Sequence, residues 1–116
     1  MVIETAEPQT LATFYERLLG WNREEDHPVW VRLKPPSGGT GLSFSLATDY
    51  VRPVWPAAPN EQQMMMHFDV AVENIDAGVA WALELGAVLA EFQPQPHVRV
   101  MLDPDGHPFC LFEGGV

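Results

Sequence analysis

The sequence predicts an α+β fold in which two βαβββ modules, each with a mixed sheet, together form a cupped cavity. Two observations support this prediction. The order of strand, helix and three further strands occurs twice along the chain, and each helix ends in Leu-Gly, at Leu19-Gly20 and Leu85-Gly86. The run Leu33-Lys34-Pro35 has a counterpart in Leu102-Asp103-Pro104. Such a repeated order indicates a doubled structural unit.

The length and composition predict a single globular domain over residues 1–116. The chain has 116 residues, of which 47% are apolar, and both values are ordinary for one folded domain. We assign module one to residues 1–47, a proline-rich linker to 48–63 and module two to 64–116. The chain has one cysteine, which excludes an internal disulfide framework.

In module one, residues Val2-Ile3 predict a truncated first strand, because residues 1–5 alone precede the first helix. Apolar residues at helical spacing follow Glu7-Pro8, where proline suits the first helical position, and Gly20 is a typical C-terminal cap. Strands are predicted at 29–33 and 42–47. The acidic run 24–26 is predicted to be a solvated turn.

In module two, strands are predicted at 64–72, 88–92, 98–102 and 109–113. The helix between the first two begins after Asn74, a favoured N-cap, and ends at Gly86. Asp103-Pro104-Asp105-Gly106 predicts a tight turn, since proline fixes φ and glycine accepts a positive φ. The methionine run 64–66 is expected to fill the core.

Charge excludes several classes of partner. Six Lys and Arg residues against 16 Asp and Glu residues give a formal net charge of −10. Nucleic acid and anionic membrane surfaces require basic patches, so neither is an expected partner. No apolar stretch approaches the ~18 residues of a membrane span, and the N-terminal residues lack the pattern of a signal peptide. We therefore expect a cytoplasmic protein.

Three runs together resemble the glyoxalase-like domain of the vicinal oxygen chelate superfamily, which includes glyoxalases, dioxygenases and bleomycin-resistance proteins. The opening helix with Phe14-Tyr15 and Leu18-Leu19-Gly20-Trp21 is similar to that family's first helix. The runs His67–Val72 and Asp103–Leu111 are similar to its later strands. The resemblance covers nearly the whole chain, and it implies paired βαβββ modules around a cavity, often in a dimer.

The same resemblance implies where metal ligands would lie. In module two the family's ligand positions fall on His67 and Cys110, and in module one they fall at or before Met1 and near Ser43 or Ser45. Of these, His67 alone is of the usual ligand type. A divalent metal needs three or four donors in fixed geometry. We therefore expect no metal cofactor, with His67 as a ligand if one is bound.

Six residues are candidates for the ligand cavity. His67 and Asp69 are two residues apart on a strand and share a face, so they could anchor a polar ligand or perform acid–base chemistry. Cys110 is expected to be a buried, neutral thiol rather than a nucleophile. The aromatic candidates are Trp30, Phe44 and Trp55, of which Trp55 stands in the linker.

Three functions remain open. The first is a metal-free small-molecule-binding protein without proven catalysis. The second is a divalent-metal-dependent lyase or dioxygenase of the same superfamily. The third is sequestration of a cationic drug in the manner of bleomycin-resistance proteins, which the negative charge favours. The short first strand leaves a sheet edge that invites pairing, so we also expect a homodimer.

Overall fold

The computed structural model describes residues 1–114, and it divides into two compact units, Met1–Tyr50 and Val51–Val116. Unit one contains β1 (Val2–Thr5), α1 (Pro8–Leu19), β2 (Asn22–His27), β3 (Trp30–Lys34) and β4 (Leu42–Leu46). Unit two contains β5 (Phe68–Val72), α2 (Ile75–Leu85), β6 (Val88–Leu89), β7 (Val98–Leu102) and β8 (Pro108–Glu113). Each unit is therefore a βαβββ module, as the sequence predicts.

The two sheets have the same topology. Their strand orders are β1-β4-β3-β2 and β5-β8-β7-β6. In each sheet the first and last strands of the module pair in parallel, and the remaining pairs are antiparallel. The fold class is α+β with two four-stranded mixed sheets, which confirms the prediction.

One face of each sheet is covered by the helix of its own unit. In unit one, Val31 and Phe44 are register partners, and both are fully buried. Phe44 also stacks on Tyr15 of α1, with 5.7 Å between the ring centroids. In unit two, Met101 and Phe109 are register partners and are fully buried. Because side chains alternate along a strand, the neighbouring residues point to the opposite face.

Both helices begin and end where the sequence signals indicate. The side chain of Asn74 accepts a hydrogen bond from the Ala77 amide at 2.9 Å, which caps α2. Gly20 ends α1 in the left-handed region, with φ of 69°, and its amide donates to Glu16 O. The predicted turn is also present, because the amide of Gly106 donates to Asp103 O at 2.8 Å.

The prediction of a solvated turn at residues 24–26 is wrong, because these residues belong to β2. This strand carries no apolar alternation, so its pattern could not indicate a strand. It is held by pairing with β3 and by Arg23, whose guanidinium donates to Gln9 Oε1 at 2.9 Å and to Thr13 Oγ1 at 3.0 Å. Arg23 thereby joins β2 to α1.

Three further predictions are wrong in unit two. The strand predicted at 64–72 begins at Phe68, and Met65 and Met66 are 78% and 71% exposed rather than in the core. The strand predicted at 88–92 is limited to β6.

The proline-rich segment forms an isolated bridge between Val54 and Gln63, and its Trp55–Pro56 peptide bond is cis.

Candidate functional site

The candidate site lies on the face of the unit-two sheet opposite the one that carries the buried Phe109 and Leu111. On the parallel pair β5 and β8, Asp69 is the register partner of Cys110. His67 precedes Asp69 by two residues, so its side chain is expected on the same face. The alternation of strand residues therefore brings an imidazole, a carboxylate and a thiol to one place.

The distances within this cluster are short. His67 Nε2 lies 3.3 Å from Asp69 Oδ1, within the range of a charge-assisted contact. The potential ligand atoms of His67, Asp69 and Cys110 all lie within 4.8 Å of one another. The side chains of His67 and Asp69 are 31% and 63% exposed, whereas Cys110 is 4% exposed. The cluster thus has a fixed, buried thiol and two more accessible groups.

The surroundings of Cys110 disfavour its anionic form. Burial raises the pKa of the Cys110 thiol above its ordinary value, because a thiolate would lose solvation. The neighbouring carboxylate of Asp69 raises this pKa further by charge repulsion. In the protein without a bound cation, Cys110 is accordingly a neutral thiol at physiological pH and a poor nucleophile.

An aromatic wall adjoins the cluster. The ring of Trp55 stacks on the imidazole of His67, with centroids 5.1 Å apart and an interplanar angle of 28°. The ring of Phe92 meets Trp55 edge to face, with centroids 5.3 Å apart. The tryptophan of the predicted linker therefore packs inside unit two, beside the imidazole.

These groups line a cavity of about 320 Å3. Its floor is the sheet, where β7 contributes Val98 and Val100 and β8 contributes Cys110 and Phe112. The volume is at the lower end of the range for small-molecule pockets. The remaining lining residues are Trp55, His67, Asp69, Pro94 and Gln95.

The structure brings four of the six candidate cavity residues together: His67, Asp69, Cys110 and Trp55. The other two belong to unit one. Phe44 is fully buried against Tyr15, so it is a core residue and not the ligand-cavity residue expected from the sequence. Trp30 is half-buried on β3, on the face opposite Val31.

Several cavity residues had not been identified from the sequence. Val98, Val100 and Phe112 share the face of Cys110, because Val100 is its register partner and Val98 is the partner of Phe112. The alternation along β7 and β8 was the available signal for these residues. Pro94 and Gln95 lie in a connecting segment without periodicity, so no pattern indicated them.

Comparison with known proteins agrees with this architecture. Residues 1–112 match the family described as the glyoxalase-like domain. The fold and the paired modules are those of the vicinal oxygen chelate class. The chain belongs to the glyoxalase-like domain family within that class. No functionally curated protein matches the sequence.

Solved structures share the fold at low sequence identity. A glyoxalase/bleomycin resistance protein/dioxygenase family enzyme from Burkholderia phytofirmans is 18% identical, with a TM-score of 0.70 over 97% of this chain and 94% of that chain. A fosfomycin resistance protein from Mesorhizobium loti is 11% identical, with a TM-score of 0.69 over 100% and 90%. An antibiotic-binding protein from Streptomyces is 18% identical, with a TM-score of 0.59 over 97% and 91%.

The donors of unit two fit a metal ion better than the sequence indicated. The sequence argument counted His67 alone as a usual ligand, but the structure adds the carboxylate of Asp69 and the sulfur of Cys110 within 4.8 Å. In unit one, the register places Ser43 at the position of Cys110, and a serine hydroxyl group is a weak ligand for a divalent ion. No helix among the described residues is long and apolar enough to span a membrane.

Proposed function

We propose that the unit-two cavity binds a small organic cation with a flat, apolar body. The observation that carries this proposal is the position of Trp55, which stacks on His67 at the edge of a cavity that also contains Asp69. An indole ring offers a face for an aromatic ligand and also attracts a cation. The carboxylate of Asp69 supplies the complementary charge.

The charge of the cavity supports a cation over an anion. Among the described lining residues, Asp69 is the sole permanently charged side chain, and none is Lys or Arg. Arg99 on β7 is not among the lining residues, and its guanidinium donates to the carbonyl groups of Pro96 and Val98. The chain as a whole carries a formal charge of −10, which favours the approach of cations.

Binding without chemical conversion of the ligand is the role that the cavity supports best. Its nucleophile, Cys110, is held as a neutral thiol by burial and by Asp69, which raise its pKa. The similar fold of the antibiotic-binding protein from Streptomyces supports a role in which a drug-like molecule is held. We therefore infer sequestration or transport of an amine-bearing aromatic compound.

Three naphthalene probes of matched size test the proposal: 1-naphthylmethylamine, 1-naphthalenemethanol and 1-naphthoate. Isothermal titration calorimetry should rank the amine first and the carboxylate last. We expect the amine to bind about fivefold more tightly than the alcohol, which corresponds to about 1 kcal/mol for a partly exposed ion pair. In Asp69→Asn this difference should disappear.

Glu91→Gln is the matched control, because Glu91 is an exposed carboxylate of the same unit that does not line the cavity. It should leave the ranking of the three probes unchanged. Equal affinities for the three probes in the unmodified protein, or tightest binding of the carboxylate, would contradict the proposal.

A further inference from the structure

We propose that Gln93 is a positioning residue that fixes one wall of the unit-two cavity and thereby limits the size of the ligand admitted. Gln93 is not itself a lining residue, whereas the next two residues, Pro94 and Gln95, line the cavity. The limit on ligand size rests on the organic-cation binding proposed above. The placement of the wall rests on hydrogen bonds within unit two alone.

The side-chain amide of Gln93 is inserted into the backbone pairing at the edge of β7. Its Nε2 donates to Ala90 O at 2.8 Å and to Val100 O at 2.9 Å, and its Oε1 accepts from the Val100 amide at 2.9 Å. The Ala90 amide donates directly to Val100 O at 3.0 Å. In a hydrogen-bonded antiparallel pair, the opposing residues exchange two backbone bonds. Here the second of these bonds is replaced by the amide of Gln93, which offers both a donor and an acceptor.

This anchor acts on a segment that has no regular secondary structure. Residues 90–97, all of which the structure describes, form neither helix nor strand. Phe92 directly precedes Gln93, and its ring meets the ring of Trp55 edge to face. The hydrogen bonds of Gln93 therefore also hold the backbone from which Phe92 reaches the aromatic wall.

The far end of the same segment has a separate anchor. Arg99 donates to Pro96 O at 3.1 Å, so Pro94 and Gln95 lie between two points at which side chains hold the backbone. Loss of the Gln93 amide therefore releases the cavity wall locally and leaves β7 and β8 paired.

A fixed wall favours ligands that fit the cavity as it stands. Such a ligand does not have to order the wall when it binds, so less binding free energy is lost. A larger ligand has to displace the wall and break the hydrogen bonds of Gln93. Removal of these bonds should therefore weaken the binding of a small ligand more than that of a large one.

Hydrogen exchange of the Val100 amide, measured by NMR spectroscopy on the full chain without ligand, tests the anchor. In Gln93→Met this amide loses its acceptor, and its exchange should become faster by about fivefold or more. The Met101 amide is the internal reference, because backbone groups of successive strand residues point to opposite neighbouring strands. Gln62→Met replaces an exposed glutamine of the same unit outside the cavity and should leave this exchange unchanged. Unchanged exchange of Val100 in Gln93→Met, or equal acceleration at Val100 and Met101, would overturn the proposal.

Calorimetry with two aromatic amines tests the limit on ligand size. The probes are 1-naphthylmethylamine and 9-anthracenylmethylamine, which carry the same charged group on a smaller and a larger ring system. In Gln93→Met the affinity for the naphthyl amine should fall by about fivefold, because the wall is in the binding-competent position for a smaller fraction of the time. The affinity for the anthracenyl amine should change by less than about twofold. Gln62→Met should bind both amines as the unmodified protein does.

Equal weakening of both amines by Gln93→Met would mean that the glutamine only stabilises unit two, and would overturn its positioning role. If neither amine binds to the unmodified protein, the organic-cation proposal and the limit on ligand size fail together. The exchange of the Val100 amide then still decides whether Gln93 fixes the wall.

Gln93→Glu decides the question should Gln93→Met fail to fold. It keeps the length of the side chain and one acceptor, but it places a carboxylate oxygen against the carbonyl oxygens of Ala90 and Val100. It should reduce the preference for the naphthyl amine in the same direction. An unchanged preference in Gln93→Glu would overturn the proposal.

Discussion

Asp69 and Cys110 face each other as register partners on the parallel strands β5 and β8, so a carboxylate borders a thiol that is 4% exposed. An anion next to a buried acid disfavours ionisation of that acid. The pair therefore places an uncharged thiol in the floor of the cavity, next to the more exposed carboxyl group of Asp69. This division suits a site that attracts cations and contains no reactive nucleophile.

The reactivity of Cys110 should depend on Asp69. The rate of alkylation by iodoacetamide should rise with pH, because the thiolate is the reactive form. The apparent pKa of this rise should lie above the ordinary thiol value of ~8.5. In Asp69→Asn the pKa should decrease, because charge repulsion is removed, but remain raised by burial. Alkylation rates measured against pH provide the test, with Glu91→Gln as the control. A pKa that is unchanged or higher in Asp69→Asn would contradict this explanation.

The same raised pKa predicts a loss of stability at alkaline pH. The unfolded thiol ionises at its ordinary pKa of ~8.5, whereas the folded thiol stays protonated to a higher pH. Raising the pH through this window therefore favours the unfolded state. The test is urea unfolding of the unmodified protein and of Cys110→Ala across this pH range. The free energy of unfolding of the unmodified protein should fall relative to that of Cys110→Ala as the pH rises. A pH-independent difference would contradict the shift.

Binding of the organic cation should depend on Trp55. Replacement of Trp55 by alanine removes the ring that stacks on His67 but leaves the carboxylate of Asp69 in the cavity. We expect the affinity for 1-naphthylmethylamine to fall by about tenfold, as lost stacking and cation–π contact imply. Calorimetry should show that Glu91→Gln, in contrast, binds the amine as the unmodified protein does. An unchanged affinity for the amine in Trp55→Ala would contradict this role of the indole ring.

The contact between β2 and α1 in unit one should depend on Arg23. Its side chain is 18% exposed, and its guanidinium also forms an ion pair with Glu16 at 3.2 Å. Arg23→Met should reduce the free energy of unfolding by about 1–2 kcal/mol, because a partly buried, charged donor is lost. Arg17→Met changes an exposed arginine on α1 and should cost about 0.5 kcal/mol. Similar values for the two variants in urea unfolding would show that the Arg23 contacts contribute little.

The turn between β7 and β8 should depend on Asp103, which is 1% exposed. Its carboxylate accepts from the amides of Asp105 and His107, and the His107 ring lies 3.0 Å from it. Asp103→Ala should destabilise the protein by about 2–4 kcal/mol, since buried donors lose their acceptor. Asp103→Asn retains an oxygen acceptor and should cost less. Thermal or urea unfolding that ranks the two variants equally would contradict this role.

The elements with strong local signals were predictable from sequence, and the weakly patterned ones were not. The helices carry both apolar periodicity and caps such as Asn74 and Gly20, so their bounds agree with the structure. In contrast, β2 consists of polar residues, and its pairing with β3 depends on contacts that no local pattern reveals. The opposite error was made for Met65 and Met66. Their hydrophobicity predicted burial in the core, but both side chains are exposed.

Part of the candidate site was predictable from the alternation of side chains along a strand, which decides the face of the sheet to which each side chain points. His67 and Asp69 share a face by spacing, and the family's strand arrangement implied that Cys110 lies beside them. The donor cluster itself required the register between β5 and β8, which a single sequence does not specify. Phe44 is not a cavity residue, because its ring points toward α1. Its neighbours on β4, Ser43 and Ser45, point to the opposite face of the sheet.

Val2 and Ser43 occupy in unit one the register that Asp69 and Cys110 occupy in unit two, and the parallel strands β1 and β4 correspond to β5 and β8. The two halves thus share one backbone plan but carry different chemistry at equivalent points. An aliphatic residue and a hydroxyl stand where the other half has an acid and a thiol. The double substitution Val2→Asp and Ser43→Cys would therefore place the same acid–thiol pair at the equivalent register of unit one.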